Sequence, residues 1–317
     1  MTIPRYQDLP VFEKTGERHA WGIWGEGDQV GTLNFITAEK VAAASQSVRS
    51  GKVINLSLPL NYPLDLFSGR RAGYEHHMTV NRGGRDDHLD NFAMQGSSQW
   101  DGLRHVRYRE FGYYGGHQDE DVDSRGLLGI EHWARRGILG RGVLIDIERF
   151  LKVTGEPVDP EVKRSFSPEQ IEACAADQGI QLQSGDIVLL RTGWLTWHRN
   201  LPVEKREALR GRMFGENAIG IPGLDAGQST AAWLWDRQIA AMAADNPGLE
   251  AMPVDAAVGF QHRRIIALLG MPIGELWDLD DLAADCTADG RYHFLLVSAP
   301  LYVPGGVGSP INAYAVK

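Results

Sequence analysis

From residue 124 onward, short uninterrupted apolar runs alternate with capped helical patterns, and this alternation restricts the fold more than any other feature. Val143 to Ile147, Asp186 to Leu190 and Ile239 to Ala244 are too short for buried helices, so they read as strands covered on both faces. The intervening helices carry their own punctuation. Ser167-Pro168-Glu169-Gln170 sets a capping serine before a first-turn proline, with a glutamine three residues on, and Gly179 ends that helix. Helical patterns also cover Leu127 to Ala134, ending at Gly137, then Ala231 to Gln238, and His262 to Leu269 before Gly270; Tyr292 to Ala299 is a last strand. Upstream, Thr37 caps a helix from Ala38 to Arg49 closed by Gly51, and Val53 to Leu58 is a strand stopped by Pro59. The fold class is α/β: mixed sheets forming a partly closed barrel or sandwich flanked by helices, in one domain over 37–317. Residues 1–36, broken by Trp21, Trp24 and many glycines, form an irregular arm. The two tryptophans anchor it in the core, or, as a lesser alternative, line a neighbouring subunit's pocket.

Chemistry concentrates in Asn91 to His105, NFAMQGSSQWDGLRH. Gln95, Gln99, Asp101 and His105 share parity, so wherever the chain is extended they face one side. Four polar groups on one face need water, one another or a cation. A second extended run is expected from Leu103 to Tyr108, which leaves Asp101 and His105 at a corner. Before this segment, Leu60 to Asp90 reads as a long loop or hairpin carrying His76, His77 and His88, of which His88 leads into the site. After it, Tyr108, Phe111, Tyr113 and Tyr114 are a pocket wall or ordinary packing. Arg191 and Trp194, at the end of the Asp186 strand, could fix a substrate carboxylate and stack on a ring, or serve structure alone; Asp245-Asn246 sits similarly.

Charge excludes one large class of function. At 317 residues with a net charge of −9, the chain has no clustered basic surface for phosphate, so no nucleic-acid partner is expected. The start lacks the order of a secretion signal and no apolar run approaches a membrane span, so the expected location is cytoplasmic, with no membrane partner. Cys174 and Cys286 lack C-x-x-C spacing and read as reduced thiols. No G-x-S-x-G marks a serine hydrolase, and GGVGSP near the C-terminus lacks the lysine and spacing of a phosphate loop.

The central segment resembles the signature of the cyclase family, which includes bacterial kynurenine formamidases and isatin hydrolases and writes it H-x-G-T-H-x-D-x-P-x-H. Asp101 and His105 match its aspartate and last histidine; Gln95 and Gln99 stand at its first two histidines, Ser97, Ser98 and Leu103 at its glycine, threonine and proline. Trp21 to Thr37, Gly142 to Ile147, Gly185 to Trp194, Pro222 to Asp225, His262 to Leu279 and Pro300 to Pro310 are similar as well, in order along the chain. The resemblance implies a swivelling β/β/α fold, a homodimer or dimer of dimers, and a metal-dependent hydrolase of a small-molecule amide, cyclic amide or lactone. It implies that Asp101, His262 and Glu275 hold metal and that His105 moves protons. With glutamine at two ligand positions, the expectation is one divalent ion, manganese before zinc, or none if the substitutions abolished the site. Gln95 and Gln99 would be further ligands, or with Trp100, Arg191 and Trp194 would orient water or substrate. The alternatives are a metal-independent lyase, dehydratase or cyclase working through Asp101 and His105, and a non-catalytic small-molecule binder.

Overall fold

A nine-stranded mixed sheet organises the chain in the structure, a computed structural model that describes residues 2–62, 71 and 73–317. Its strands, in chain order with an exposed hairpin included, are β1 (Val53–Asn55), hairpin strands β2 (Glu75–Val80) and β3 (Arg85–Asp90), β4 (Gln99–Asp101), β5 (Ile138–Asp146), β6 (Ile187–Arg191), β7 (Ala241–Ala244), β8 (Ile273–Glu275), β9 (His293–Ser298), β10 (Gly308–Pro310) and β11 (Ala313–Val316). Across the sheet they run β10-β4-β8-β7-β6-β5-β9-β11-β1, curled into a half-barrel with helices against it. The middle four strands are parallel, as their two-sided apolar character requires: β5 pairs with β6, β6 with β7, and β7 with β8. Val143, Leu144, Val188, Leu189, Met242 and Ala243 are fully buried there. Antiparallel strands complete both edges.

Local signals form where the sequence places them. Thr37 Oγ accepts from Lys40 N at the start of helix Ala38–Ser45, and both bonds of the Ser167–Gln170 capping box are present at helix Pro168–Asp177. The arm docks by its indoles: Trp21 Nε1 donates to Ala267 O at 2.8 Å, while Trp24 lies edge-on to Phe35 and Trp235. Two expectations differ in detail. The helix expected over Leu127 to Ala134 begins only at Glu131 and runs to Arg136, because Leu128 takes the left-handed conformation (φ 61°); a separate helix, Asp119–Arg125, precedes it and ends at Gly126. Leu103 to Tyr108 is not a strand. Gly102 N donates to Val307 O at 3.0 Å, where a Cβ would lie 2.5 Å from that oxygen, and the chain turns at once so that His105 N reaches Gly102 O at 2.9 Å.

Within the Leu60 to Asp90 stretch, β2 and β3 form the anticipated hairpin, exposed on both faces, with His77 opposite His88. Residues 63–70 and 72 of that stretch lie outside the described residues. Cys174 and Cys286 are buried free thiols. No helix among the described residues is long and apolar enough to cross a membrane.

One core histidine ties stability to pH. His198 is 4 % exposed, stacks on Trp194 and shares a 2.7 Å hydrogen bond with the Tyr62 hydroxyl. Burial, helped by the nearby Arg206 charge, pushes its imidazole down from 6.5 to about 4. A depressed histidine contributes stability that is complete above the unfolded-state value and lost as pH falls through the folded one. Acidification from pH 6.5 to 4 should therefore remove about 3 kcal/mol. Urea midpoints measured across that window should fall steeply in the wild type and less in His198→Gln; parallel curves would refute the assignment.

Candidate active site

The site is built where the antiparallel strand β4 meets the last parallel strand, β8. Their register sets Gln99 opposite Glu275 and Asp101 opposite Ile273. With the two-residue period of a strand, Gln99, Asp101 and Glu275 then share one face. Gln99 Nε2 donates to Glu275 Oε2 at 2.5 Å. After Glu275 the chain bends through Leu276 in the left-handed region (φ 57°), an unfavourable conformation for leucine that hydrogen bonds from Leu276 N to Asn246 O and Trp277 N to Ala244 O hold in place.

Gln95 arrives from the preceding turn, and Gly308 on β10 leaves room for it, since a Cβ there would sit 2.8 Å from Gln95 Cγ. Its amide donates to Asp101 Oδ1 and lies 3.2 Å from His105 Nδ1. The turn after Gly102 sets His105 Nε2 3.7 Å from Asp101 Oδ2. All four residues of shared parity therefore meet, two through the strand and two through the turns at its ends.

His262 completes the cluster from the N-terminus of Arg263–Leu268, a segment with the wide π-helical spacing that recurs at functional sites. Its Nε2 stands 3.1 Å from Glu275 Oε1 and 3.8 Å from Asp101 Oδ2. One ligand atom from each of Asp101, His262 and Glu275 lies within 4.8 Å of the others, all three residues being buried. On the far side of the ring, Nδ1 meets Glu250 Oε1 at 2.6 Å, and both oxygens of Glu250 also accept backbone N–H groups, from Gln261 and His262.

Electrostatics make this a demanding place to leave empty of positive charge. Burial alone would lower the His262 pKa, but Glu250 and Glu275 overcome it and raise it to about 10. Burial and then the Asp101 charge push the Glu275 carboxyl up. Burial pushes His105 below its usual value against the pull of Asp101. Asp101 is fully buried, yet its Oδ2 has no hydrogen-bond donor. An ionised oxygen in that position is costly unless a cation faces it. The donors fit one divalent ion: an imidazole nitrogen and two carboxylates whose formal charge of about −2 it would cancel, with the carboxylate of Glu250 behind the imidazole as such ligands require.

The remaining expected residues lie elsewhere or act differently. The amide nitrogens of Gln95 and Gln99 face carboxylates, and Gln99 Oε1 accepts from Arg71 Nη1 at 3.2 Å, so both glutamines brace the acids. Trp100 points through the sheet, edge-on to Trp277, and donates to Ser298 Oγ. Arg191 is bound by Asp146, Glu148 and Asp280, and Trp194 packs in a core cluster with Met213, Met252 and Leu276. None of these three lines the cavity of about 90 Å³ beside His262, which is walled by Arg71, His105, Phe214, Phe260 and Glu275 among others. Asp245 is likewise structural, accepting from Thr192 and Gly193. Glu250, Arg71 and Phe260 were not singled out from sequence. No local pattern marks them; only their tertiary neighbours do.

A curled mixed sheet with an acid–imidazole cage at one strand edge defines a class, and comparison with known proteins agrees. The chain belongs to the cyclase family, since the family described as "Putative cyclase" matches residues 2–251. Among solved structures it is similar to a novel cyclase at 34 % identity and a TM-score of 0.80, covering 94 % of this chain and 99 % of that one. Isatin hydrolase A from Labrenzia aggregata, bound to benzyl benzoate, shares the fold at 15 % identity and a TM-score of 0.59, covering 86 % of this chain and 96 % of that one. The enzyme of the same name from Ralstonia solanacearum shares it at 15 % identity and 0.56, with 88 % and 97 % covered. No curated protein matches the chain.

Proposed function

We propose that this protein is a hydrolase of a small-molecule amide, cyclic amide or lactone that works with one divalent cation held by Asp101, His262 and Glu275. The observation that carries the reading is the buried Asp101 Oδ2, without a donor and 3.8 Å from His262 Nε2. A divalent ion there, manganese before zinc, would supply Lewis acidity and make water acidic enough to attack at neutral pH. Everything else falls to side chains. Glu250 accepts the Nδ1 proton and so directs Nε2 of His262 at the two acids, where its lone pair would be free for a cation once the Nε2 proton is given up. Gln95 and Gln99 each donate to one carboxylate and fix its rotamer. Because the Gln95 amide nitrogen is pinned by Asp101, it donates to His105 Nδ1, which leaves the His105 proton on Nε2, the edge nearest the cluster. His105 is thus set to hold and pass a proton at Nε2. Phe260, stacked on His262 at 4.6 Å between ring centres, keeps water from that side.

The test is turnover of N-formylkynurenine, isatin and simple lactones by protein supplied with manganese, before and after chelation. Hydrolysis of one of them that stops with chelator and returns with manganese is expected; turnover indifferent to chelator would reject the cation's part. Glu250→Gln should weaken manganese binding by about 10- to 100-fold, measured by titration calorimetry, because the ring loses its anionic anchor and one amide hydrogen faces the Gln261 N–H. Unchanged affinity would show that His262 needs no such support.

A further inference from the structure

The cavity beside His262, at about 90 Å³, admits a reacting group and little more. It meets a second, larger one. A basin of about 460 Å³, within the ~300–1,000 Å³ usual for ligand sites, is lined by Tyr108, Arg109, Phe214, Phe260 and Arg263 together with Glu17 and Arg264. Phe214 and Phe260 line both spaces, so the two cavities adjoin at those side chains. A molecule whose reactive carbon reaches the cluster can leave the rest of itself in this neighbouring basin.

The charges of the basin are unbalanced. Arg264 is spent: Nε donates to Glu17 Oε1 at 2.7 Å, Nη2 to Val258 O at 2.8 Å, and Nη1 to Ala226 O. Glu17, the one carboxylate in the lining, is thereby neutralised. Glu110, next in the chain to Arg109, is paired with Lys14. Arg109 and Arg263 are exposed, and among the described residues neither guanidinium has an ion pair within 4 Å. Each lies over an aromatic face, Tyr108 at 5.7 Å and Phe260 at 5.9 Å, and Arg109 acts on an acid only through the weak field it exerts on Glu110. Two arginines outside any ion pair on a chain of net charge −9 make a local exception to its acidic character. Arg109 also holds a left-handed backbone (φ 48°), unfavourable for an arginine.

We propose that this basin is a recognition site for the carboxylate of an apolar, ring-bearing substrate, with Arg109 and Arg263 taking the anion and Tyr108, Phe214 and Phe260 enclosing the ring. The substrate is then an anion carrying its scissile amide or ester beyond the ring, on the side that enters the small cavity. This rests on the hydrolase reading for what happens to the ligand, and not for whether it binds.

Titration calorimetry on the manganese-loaded protein with 3-phenylpropionate, its neutral amide and acetate tests it directly. The acid should bind at least ten times more tightly than the amide, which lacks the charge, and than acetate, which can reach a metal but lacks the ring. Its affinity should fall with added salt. The Arg109→Asn/Arg263→Ala pair, with asparagine chosen because it tolerates positive φ, should cut the acid's affinity at least tenfold. Equal binding of acid and amide, or no binding of the acid to the wild type, would overturn the proposal without any variant. An acid affinity unaltered in the folded double variant would overturn it too. Binding as expected in a protein that hydrolyses nothing would instead remove the hydrolase reading and leave the anion site standing.

Discussion

An Asp101→Asn protein should be at least ~10³-fold less active than the wild type and, stripped of metal, more stable than it. The two effects have one cause. Asp101 Oδ1 receives the Gln95 amide, and an asparagine oxygen can keep that bond, but Oδ2 faces Glu275 and His262 with no donor of its own. In the metal-free protein it lies beside a second carboxylate, its charge only partly offset by the His262 imidazole 3.8 Å away, and its field is one reason the Glu275 carboxyl is pushed up. An amide nitrogen in its place removes the repulsion and can donate to Glu275, which should raise metal-free stability by about 1–3 kcal/mol. With manganese present the order reverses, because the wild type gains binding free energy that the variant has lost. Thermal unfolding of both proteins, each with chelator and with manganese, should give crossing midpoints, and the activity loss corresponds to about 4 kcal/mol of transition-state stabilisation. A variant that is less stable without metal, or that still gains stability from manganese, would mean that Asp101 is a structural acid.

That crossing could be anticipated only in part from the amino-acid order. The two-residue period of an extended chain sets Gln99 and Asp101 on one face of β4, whereas Gln95 and His105 reach Asp101 through the turns at its ends. The same period puts Trp100 behind the sheet, which overturns the part expected of it in orienting water or substrate. His262 and Glu275 carry no local mark; family resemblance pointed to them, and the register of β4 on β8 explains why they meet Asp101. Arg191 illustrates the opposite limit. A strand end in an α/β sheet commonly faces a ligand, but three acids from separate segments claim this guanidinium, and acids that converge in space leave no trace in one segment's pattern. Arg109 and Arg263 differ from it only in what is missing around them. Glu250 is the clearest case: its whole contribution is a contact with His262 and with two backbone amides, none of which a single-segment period can encode.

Replacing His105 with alanine should lower kcat by about 10²- to 10⁴-fold, the usual worth of a positioned proton donor or acceptor, with little change in stability or manganese affinity. Its position separates it from the ligand residues. The ring is held at Nδ1 by the Gln95 amide, and Nε2, though 3.7 Å from Asp101 Oδ2, is not among the grouped ligand atoms of Asp101, His262 and Glu275. It lies instead on the wall of the small cavity, where a reacting group would sit. Truncation leaves Gln95 still bonded to Asp101, so the carboxylate keeps its rotamer and the cage keeps its shape. The gap left is imidazole-shaped and opens on that cavity, and added imidazole should restore part of the lost turnover in His105→Ala while doing nothing for Asp101→Asn. Three measurements divide the outcomes: kcat, manganese affinity by calorimetry, and the imidazole response. A loss of manganese binding as deep as that of Asp101→Asn would make His105 a ligand, whereas a fall in kcat of less than tenfold would take proton transfer away from it and return the chemistry to the cluster alone.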